Sequence, residues 1–269
     1  MKQDRPPLVF SHANGFPAPC YARLFAALQD DFEIRYLPRL GHHPEYPVTD
    51  GWPGLQQELV DFVARGPHPV IAVGHSLGGF LSFMAAVARP ELFSALILLD
   101  APIIGPLKAR GLEMSKRFGF VDRVTPARAT RNRRQHWASE AGAVAHFGTR
   151  KLFRHFDPEC LADYVRHGMI EDAESGGRVL WFDPRIEYQI YCSMPHHLHR
   201  LLDSLRVPAG FIGGRDSEEV RRIGISAMRG HFRLKRVEGG HLFPFEHPQT
   251  TAQAIRDMAA TLLGGDARW

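Results

Sequence analysis

Three unbroken apolar runs mark the first hundred residues: Leu8-Val9-Phe10, Val70 to Val73 and Ala95 to Leu99. Runs this short, bounded by Gly, Pro or polar residues, read as strands buried on both faces. Glu33 to Leu37 reads as a fourth strand, closed by Pro38. Between them the apolar residues fall at helical spacing. Pro19 to Asp30 places Leu24, Phe25 and Leu28 on one face, and Trp52 to Ala64 does so with Leu55, Leu59, Val60 and Val63. Leu77 to Ala88 reads as a buried helix that Pro90 ends. The alternation pauses between Pro102 and Leu205. It resumes with a strand over Val207–Gly213, a helix over Glu218–Met228, a strand over Phe232–Val237 and a helix over Thr250–Leu263. Buried strands alternating with helices predict an α/β fold, with a mostly parallel sheet of about six strands covered by helices on both faces. The expected core is 1–101 with 206–269. Residues 102–205 show helical patches and no clear strand, and are expected to form a helical cap or lid.

One junction interrupts this pattern in a way that suggests chemistry. In VIAVGHSLGGFLSFMAA, Val70 to Ala86, a single serine sits between two glycines where a strand meets a helix. A sharp strand-to-helix turn lifts Ser76 clear of the sheet, and Gly74 and Gly78 remove the side chains that would collide there. The N-terminus of the following helix favours negative charge at the same spot. Ser76 is therefore the candidate nucleophile.

A serine hydroxyl needs a base. Of fifteen histidines, His241 in Gly239-Gly240-His241-Leu242 lies just past the last predicted strand, where parallel-sheet sites open. The imidazole needs a carboxylate to hold its tautomer. Asp216, after the penultimate strand, is the expected acid because its loop is near that of His241 in sequence. Asp100, at the end of the Ala95–Leu99 run, is the alternative, and Glu218 and Glu219 are weaker contenders. The developing oxyanion needs donors. Leu77 N–H is expected to be one; Asn14 N–H, or alternatively Phe16 N–H, is expected to be the other. His12 fits a role bracing that loop as well as a role in the site. No metal-ligand spacing is present, so neither metal nor organic cofactor is expected.

The segments FSHANGFPA, GHSLGG, GGRD and GGHLFPFEHP resemble, in this order, the oxyanion loop, nucleophile elbow, acid loop and histidine loop of the α/β-hydrolase superfamily. The likeness covers nearly the whole chain, with 102–205 at the position of the family's variable cap. It departs from the family in two places. The first strand begins near Leu8, so six strands are expected where the family often has eight. His12-Ala13 also replaces the usual His-Gly. The resemblance implies a serine hydrolase, carboxylesterase-like, acting on an ester or related acyl bond of a small molecule. C–C bond hydrolysis, thioester hydrolysis, perhydrolysis or a non-enzymatic ligand receptor are alternatives on the same fold. Aromatics of the inserted block, from Phe118 and Phe120 through Trp137, Phe147, Phe153 and Phe156 to Trp181 and Phe182, are candidates for its core or for lining a cleft.

Composition narrows the classes further. With 44% hydrophobic and 23% charged residues in 269, the chain is globular. No apolar run approaches a membrane span, so no membrane partner is expected, and the N-terminus lacks a signal-peptide pattern. Cys20, Cys160 and Cys192 are scattered and read as reduced thiols, so a cytoplasmic location is expected. Between Lys108 and Arg134 nine Lys/Arg face only Glu113 and Asp122, a local charge of +7 against +4 for the chain. A solvated helical surface is the ordinary reading, and attraction of an anionic substrate or partner is the other. No nucleic-acid module accompanies this run, so no nucleic-acid partner is expected.

Overall fold

The computed structural model describes residues 5–131, 133–174 and 176–264. Six parallel strands form the main sheet: β1 (Pro7–Ser11), β2 (Glu33–Tyr36), β3 (Val70–His75), β4 (Phe93–Leu99), and, after the inserted block, β8 (Ala209–Gly214) and β9 (Arg233–Val237). Their spatial order is β2-β1-β3-β4-β8-β9. The chain reverses direction across the sheet between β1 and β3, and a ligand crevice opens at such a switch point.

Side-chain alternation explains the two cores. Leu8 and Phe10 of β1, with Ile71, Val73, Ile97 and Leu99, face α1 (Ala22–Leu28) and the C-terminal helix Pro248–Leu263. Val9, with Val70, Ala72, Leu96 and Leu98, faces α2 (Pro53–Ala64) and α3 (Leu77–Ala88). Successive residues of a strand point to opposite faces, so a continuous apolar run fills both layers at once.

The inserted block departs from the helical expectation. Besides its helices, among them α4 (Pro106–Arg117), it holds a small antiparallel sheet of β5 (His136–Trp137), β6 (Met169–Glu171) and β7 (Arg178–Leu180), in the order β5-β7-β6. Strands of two or three residues are too short to display the period-2 alternation by which a strand is recognised.

Packing at the switch point is tight. A Cβ on Gly78 would lie 2.0 Å from the Ser11 carbonyl oxygen, and one on Gly74 would lie 2.3 Å from the Gly78 oxygen. Both obstacles are backbone and cannot rotate away. Gly78→Ala is therefore expected to destabilise the fold by about 3 kcal/mol, read as a lower urea midpoint at unchanged slope.

Candidate active site

Ser76 follows β3 directly and adopts φ 52°, ψ −115°. Positive φ is costly for a residue with a Cβ and persists only where the surroundings enforce it. Here they do. Ser76 N–H donates to the Leu99 carbonyl at 3.0 Å, Gly78 N–H donates to the His12 carbonyl at 3.1 Å, and the two glycines allow the close approach. The side chain is left partly exposed, facing a cavity.

His241 also lines that cavity. Its Nδ1 lies 2.7 Å from Asp100 Oδ2. This corrects the expectation for the acid, because the carboxylate at the imidazole is that of Asp100 and not that of Asp216. β4 borders the elbow strand β3, so Asp100, the residue after β4, emerges beside Ser76 and is buried there, whereas Asp216, although β8 borders β9, is turned out to solvent. Asp216 is exposed, and its N–H is tied to the Gly239 carbonyl at 3.0 Å in the turn beyond β8. Asp100 is 1% exposed and also sits at positive φ, 45°. Its oxygens accept from Gly214 N–H at 2.8 Å and from the Ser217 hydroxyl at 2.5 Å as well as facing His241. With Nδ1 committed to Asp100, Nε2 is the free, basic nitrogen of His241. Burial works against the imidazolium. The hydrogen bond and charge of Asp100, helped by Glu219 and Glu246, outweigh it, and the His241 pKa lies above the ordinary histidine value.

Glu219 Oε2 lies 3.8 Å from His241 Nδ1, so Asp100, Glu219 and His241 gather within 4.8 Å. Three such ligands could in principle hold a cation. The Asp100 oxygens, however, are already occupied by donors, and the imidazole nitrogen nearest both carboxylates is the one bonded to Asp100. The set fits an imidazole held by a carboxylate better than a metal centre.

The loop after β1 supplies the remaining parts. Its turn closes by Phe16 N–H donating to the Ala13 carbonyl at 3.1 Å, which removes Phe16 N–H as an available donor. The backbone N–H groups of Asn14 and Leu77 have no acceptor among the described residues, and Asn14 lines the cavity beside Ser76. The Asn14 side chain donates to the Glu187 carbonyl at 3.0 Å. Glu187 in turn pairs with Arg133 at 2.7 Å, and Arg133 reaches the Tyr164 hydroxyl at 2.7 Å. Gly15 takes φ 78° beneath Glu187, where a Cβ would lie 2.6 Å from the carboxylate. His12 is wholly buried, and its Nε2 accepts from Leu40 N–H at 2.8 Å, which makes it a brace between two loops. Burial lowers its pKa to about 4.

A second set of residues escaped the reading of the sequence. Ala13 N–H donates to the Tyr21 hydroxyl at 3.2 Å, Tyr21 O–H lies 2.7 Å from His75 Nδ1, and His75 Nε2 lies 2.9 Å from the His241 carbonyl. His75 thus accepts from Tyr21 and donates to His241, linking the loop after β1, the serine turn and the histidine loop. Burial, then the neighbouring His241, hold the His75 pKa well below the ordinary value. A histidine ending a fully buried strand must find partners, and that was the available signal.

The cavity has a volume of about 840 Å³. Its floor comes from the sheet loops, through Asn14, Ser76, Asp100 and His241; its walls include Leu112, Phe147, Phe153 and Tyr191 of the inserted block. Of the candidate aromatics, Phe147 and Phe153 line it. Trp137, Phe156 and Phe182 are core, and Phe118 and Phe120 are exposed.

Fold and site together define a doubly wound parallel-sheet protein that presents a serine on a strained turn at its switch point, with an imidazole–carboxylate pair in the same cavity. The sequence matches the alpha/beta hydrolase family model over residues 8–254, and the chain belongs to that family. It is 33% identical over 107 residues to the abhydrolase domain-containing protein AFT2-1 of Alternaria alternata, covering 40% of this chain and 36% of that protein. It is 28% identical over 177 residues to the type I acyl-CoA thioesterase mpaH of Penicillium brevicompactum, covering 59% of this chain and 39% of that protein. The matched stretches thus span well under half of either relative. Among solved structures, E-2-(acetamidomethylene)succinate hydrolase superposes with a TM-score of 0.73 at 20% identity, over 95% of this chain and 92% of the other. An esterase of M. tuberculosis superposes with a TM-score of 0.70 at 20% identity, over 96% and 86%. At such identities the likeness is one of fold.

Proposed function

We propose that the protein is a serine hydrolase cleaving an ester or thioester bond of a small molecule through an acyl-enzyme. The observation that carries this reading is the 2.7 Å contact between His241 Nδ1 and Asp100 Oδ2 beside the cavity that Ser76 also lines. His241 Nε2 takes the hydroxyl proton as Ser76 Oγ adds to the substrate carbonyl. The carbonyl oxygen becomes an anion held by the N–H groups of Leu77 and Asn14, at the positive end of α3. The tetrahedral species collapses, and His241 returns the proton to the leaving group. Water, deprotonated by His241, then releases the acid and restores Ser76. Asp100 keeps the imidazole oriented and stabilises its charged form. Residues 102–205 act as a cap that roofs the cavity and keeps bulk water from the acyl-enzyme. The names of relatives and structural neighbours, among them a thioesterase and an esterase, support an acyl bond as the target. Free thiols at Cys20, Cys160 and Cys192 suit a reducing compartment, the cytoplasm.

A fluorophosphonate tests this directly. Intact-mass analysis is expected to show one adduct per chain, mapped to Ser76 and absent from Ser76→Ala. An unlabelled protein, or an adduct mapped to another residue, ends the reading.

A further inference from the structure

Of the nine large apolar side chains exposed among the described residues, five cluster in one stretch, and Leu152, Ile170, Leu234 and Leu263 lie apart from it. Leu107, Met114, Phe118, Phe120 and Val124 all fall within residues 107–124. Leu107, Met114 and Phe118 are 83%, 55% and 65% exposed. They stand at i, i+7 and i+11, with Gly111 between them at i+4, so α4 and its C-cap present one apolar face to solvent. The other side of the helix is held by the molecule, through Ala109 and Ser115.

Cations flank this face on both sides. Helical spacing sets Lys108 on one flank and Arg110 with Arg117 on the other; Arg123 follows in the next turn. Of the nearby carboxylates, Asp50 pairs with Lys116 and Asp122 with Arg128, Glu113 lies 3.7 Å from His196, and Glu218 and Glu219 share a hollow with Arg123. Among the described residues none pairs with Lys108, Arg110, Arg117 or Arg123. Lys108 Nζ donates only to the carbonyls of Arg222 and Ile223. An apolar stripe flanked by cations that have no carboxylate partner suits the boundary between acyl chains and anionic headgroups, where long basic side chains reach up to phosphate. The cavity meets this face, because Lys108, Gly111 and Val124 are exposed and also line it.

We infer that the α4 face, Leu107 to Phe118, docks on the surface of an anionic bilayer and sets the cavity edge against it. This is surface contact and not a span: no described helix is long and apolar enough to cross a membrane. A second copy of the chain is disfavoured as occupant, because a two-fold contact through this face would set the same cations against one another. An acidic protein satisfies the charge but leaves unexplained why an apolar cavity opens at the stripe. The inference goes beyond the hydrolase reading and does not depend on it.

Co-sedimentation of the full chain tests it, with vesicles of phosphatidylcholine alone and of phosphatidylcholine and phosphatidylglycerol in equal parts. Partition onto the anionic vesicles is expected to be stronger by about fiftyfold or more, and to weaken as salt rises. Leu107→Gln with Phe118→Gln is expected to remove it at least about tenfold. Arg110→Glu with Arg117→Glu is expected to weaken it by roughly twentyfold on anionic vesicles only. All four positions lie outside the cavity, so circular dichroism and hydrolysis of a short soluble ester should match the parent and verify folding. Equal partition of parent and variants, or none at low salt, overturns the proposal. So does a dimer in analytical ultracentrifugation that the apolar variant dissolves, or binding to poly-glutamate without binding to vesicles. If no form hydrolyses any ester, the hydrolase reading fails while the vesicle result stands.

Discussion

Replacing Ser76 by alanine is expected to lower kcat on the best ester or thioester of a substrate panel by roughly 10⁶-fold, with the circular dichroism spectrum unchanged. The size follows from what is lost. Without Oγ there is no covalent intermediate, and the base has no hydroxyl to deprotonate, so only oxyanion stabilisation and binding remain. Residual turnover near the parent rate would mean that water, not the serine, attacks. Alanine also has a Cβ, so it inherits the cost of positive φ and leaves the turn otherwise as it is. A fall in activity is then chemical and not a consequence of unfolding.

Asp100→Asn and Asp216→Asn are expected to separate by orders of magnitude. Asparagine at 100 offers Nδ2–H where His241 Nδ1–H needs an acceptor. The ring then turns or takes the wrong tautomer, and kcat/KM should fall by roughly 10⁴-fold. Asp216→Asn, on an exposed turn, should leave it within a factor of two or so, as surface changes usually do. A second readout distinguishes loss of charge from general damage. In the parent, the acid limb of kcat/KM should lie above the ordinary histidine pKa, because Asp100 outweighs the effect of burial. In the residual activity of Asp100→Asn that limb should move to lower pH. If Asp216→Asn alone abolishes turnover, the role given to Asp100 is wrong.

The contrast between these two aspartates also shows how far the sequence could be read. All six strands of the main sheet were legible: four are buried apolar runs with clear stops, and the edge strands β2 and β9, which are partly exposed, are bounded by turn residues. So was the elbow, because its two glycines and serine sit where a strand gives way to a helix. The acid was legible only as a choice between two aspartates at strand ends, with Asp216 preferred to Asp100. Asp216 is nearer to His241 in sequence, and β8 borders β9, yet its side chain is turned out to solvent, and the carboxylate that meets the imidazole is that of Asp100. The donor assigned to the loop after β1 depended on a turn register that only coordinates provide. With Phe16 N–H closing the turn, Asn14 N–H is the one left free. The small sheet of the inserted block went unread because its strands, of two or three residues, are too short to repeat the alternation.

The buried histidines have a consequence for acid tolerance. His12 and His75 are closed in without room for a second proton, and burial holds both pKa values below that of an exposed imidazole, His12 at about 4. The unfolded chain binds protons at these positions from about pH 6.5 downward, while the native one refuses them. Their contribution to stability is therefore complete above about pH 6.5 and drains as pH falls through that interval, by about 3 kcal/mol for His12 alone by pH 4. His241 acts in the opposite sense, since its raised pKa favours the native state below pH 6.5. Denaturant titrations at pH 7.5 and pH 5 should give the lower midpoint at pH 5, where the protons excluded from His12 and His75, and from the half-buried His42, outweigh the one that His241 welcomes. A higher midpoint at pH 5 would show that these rings are charged in the native state. Acidification thus works as a solvent on the very struts that join the loops under Ser76.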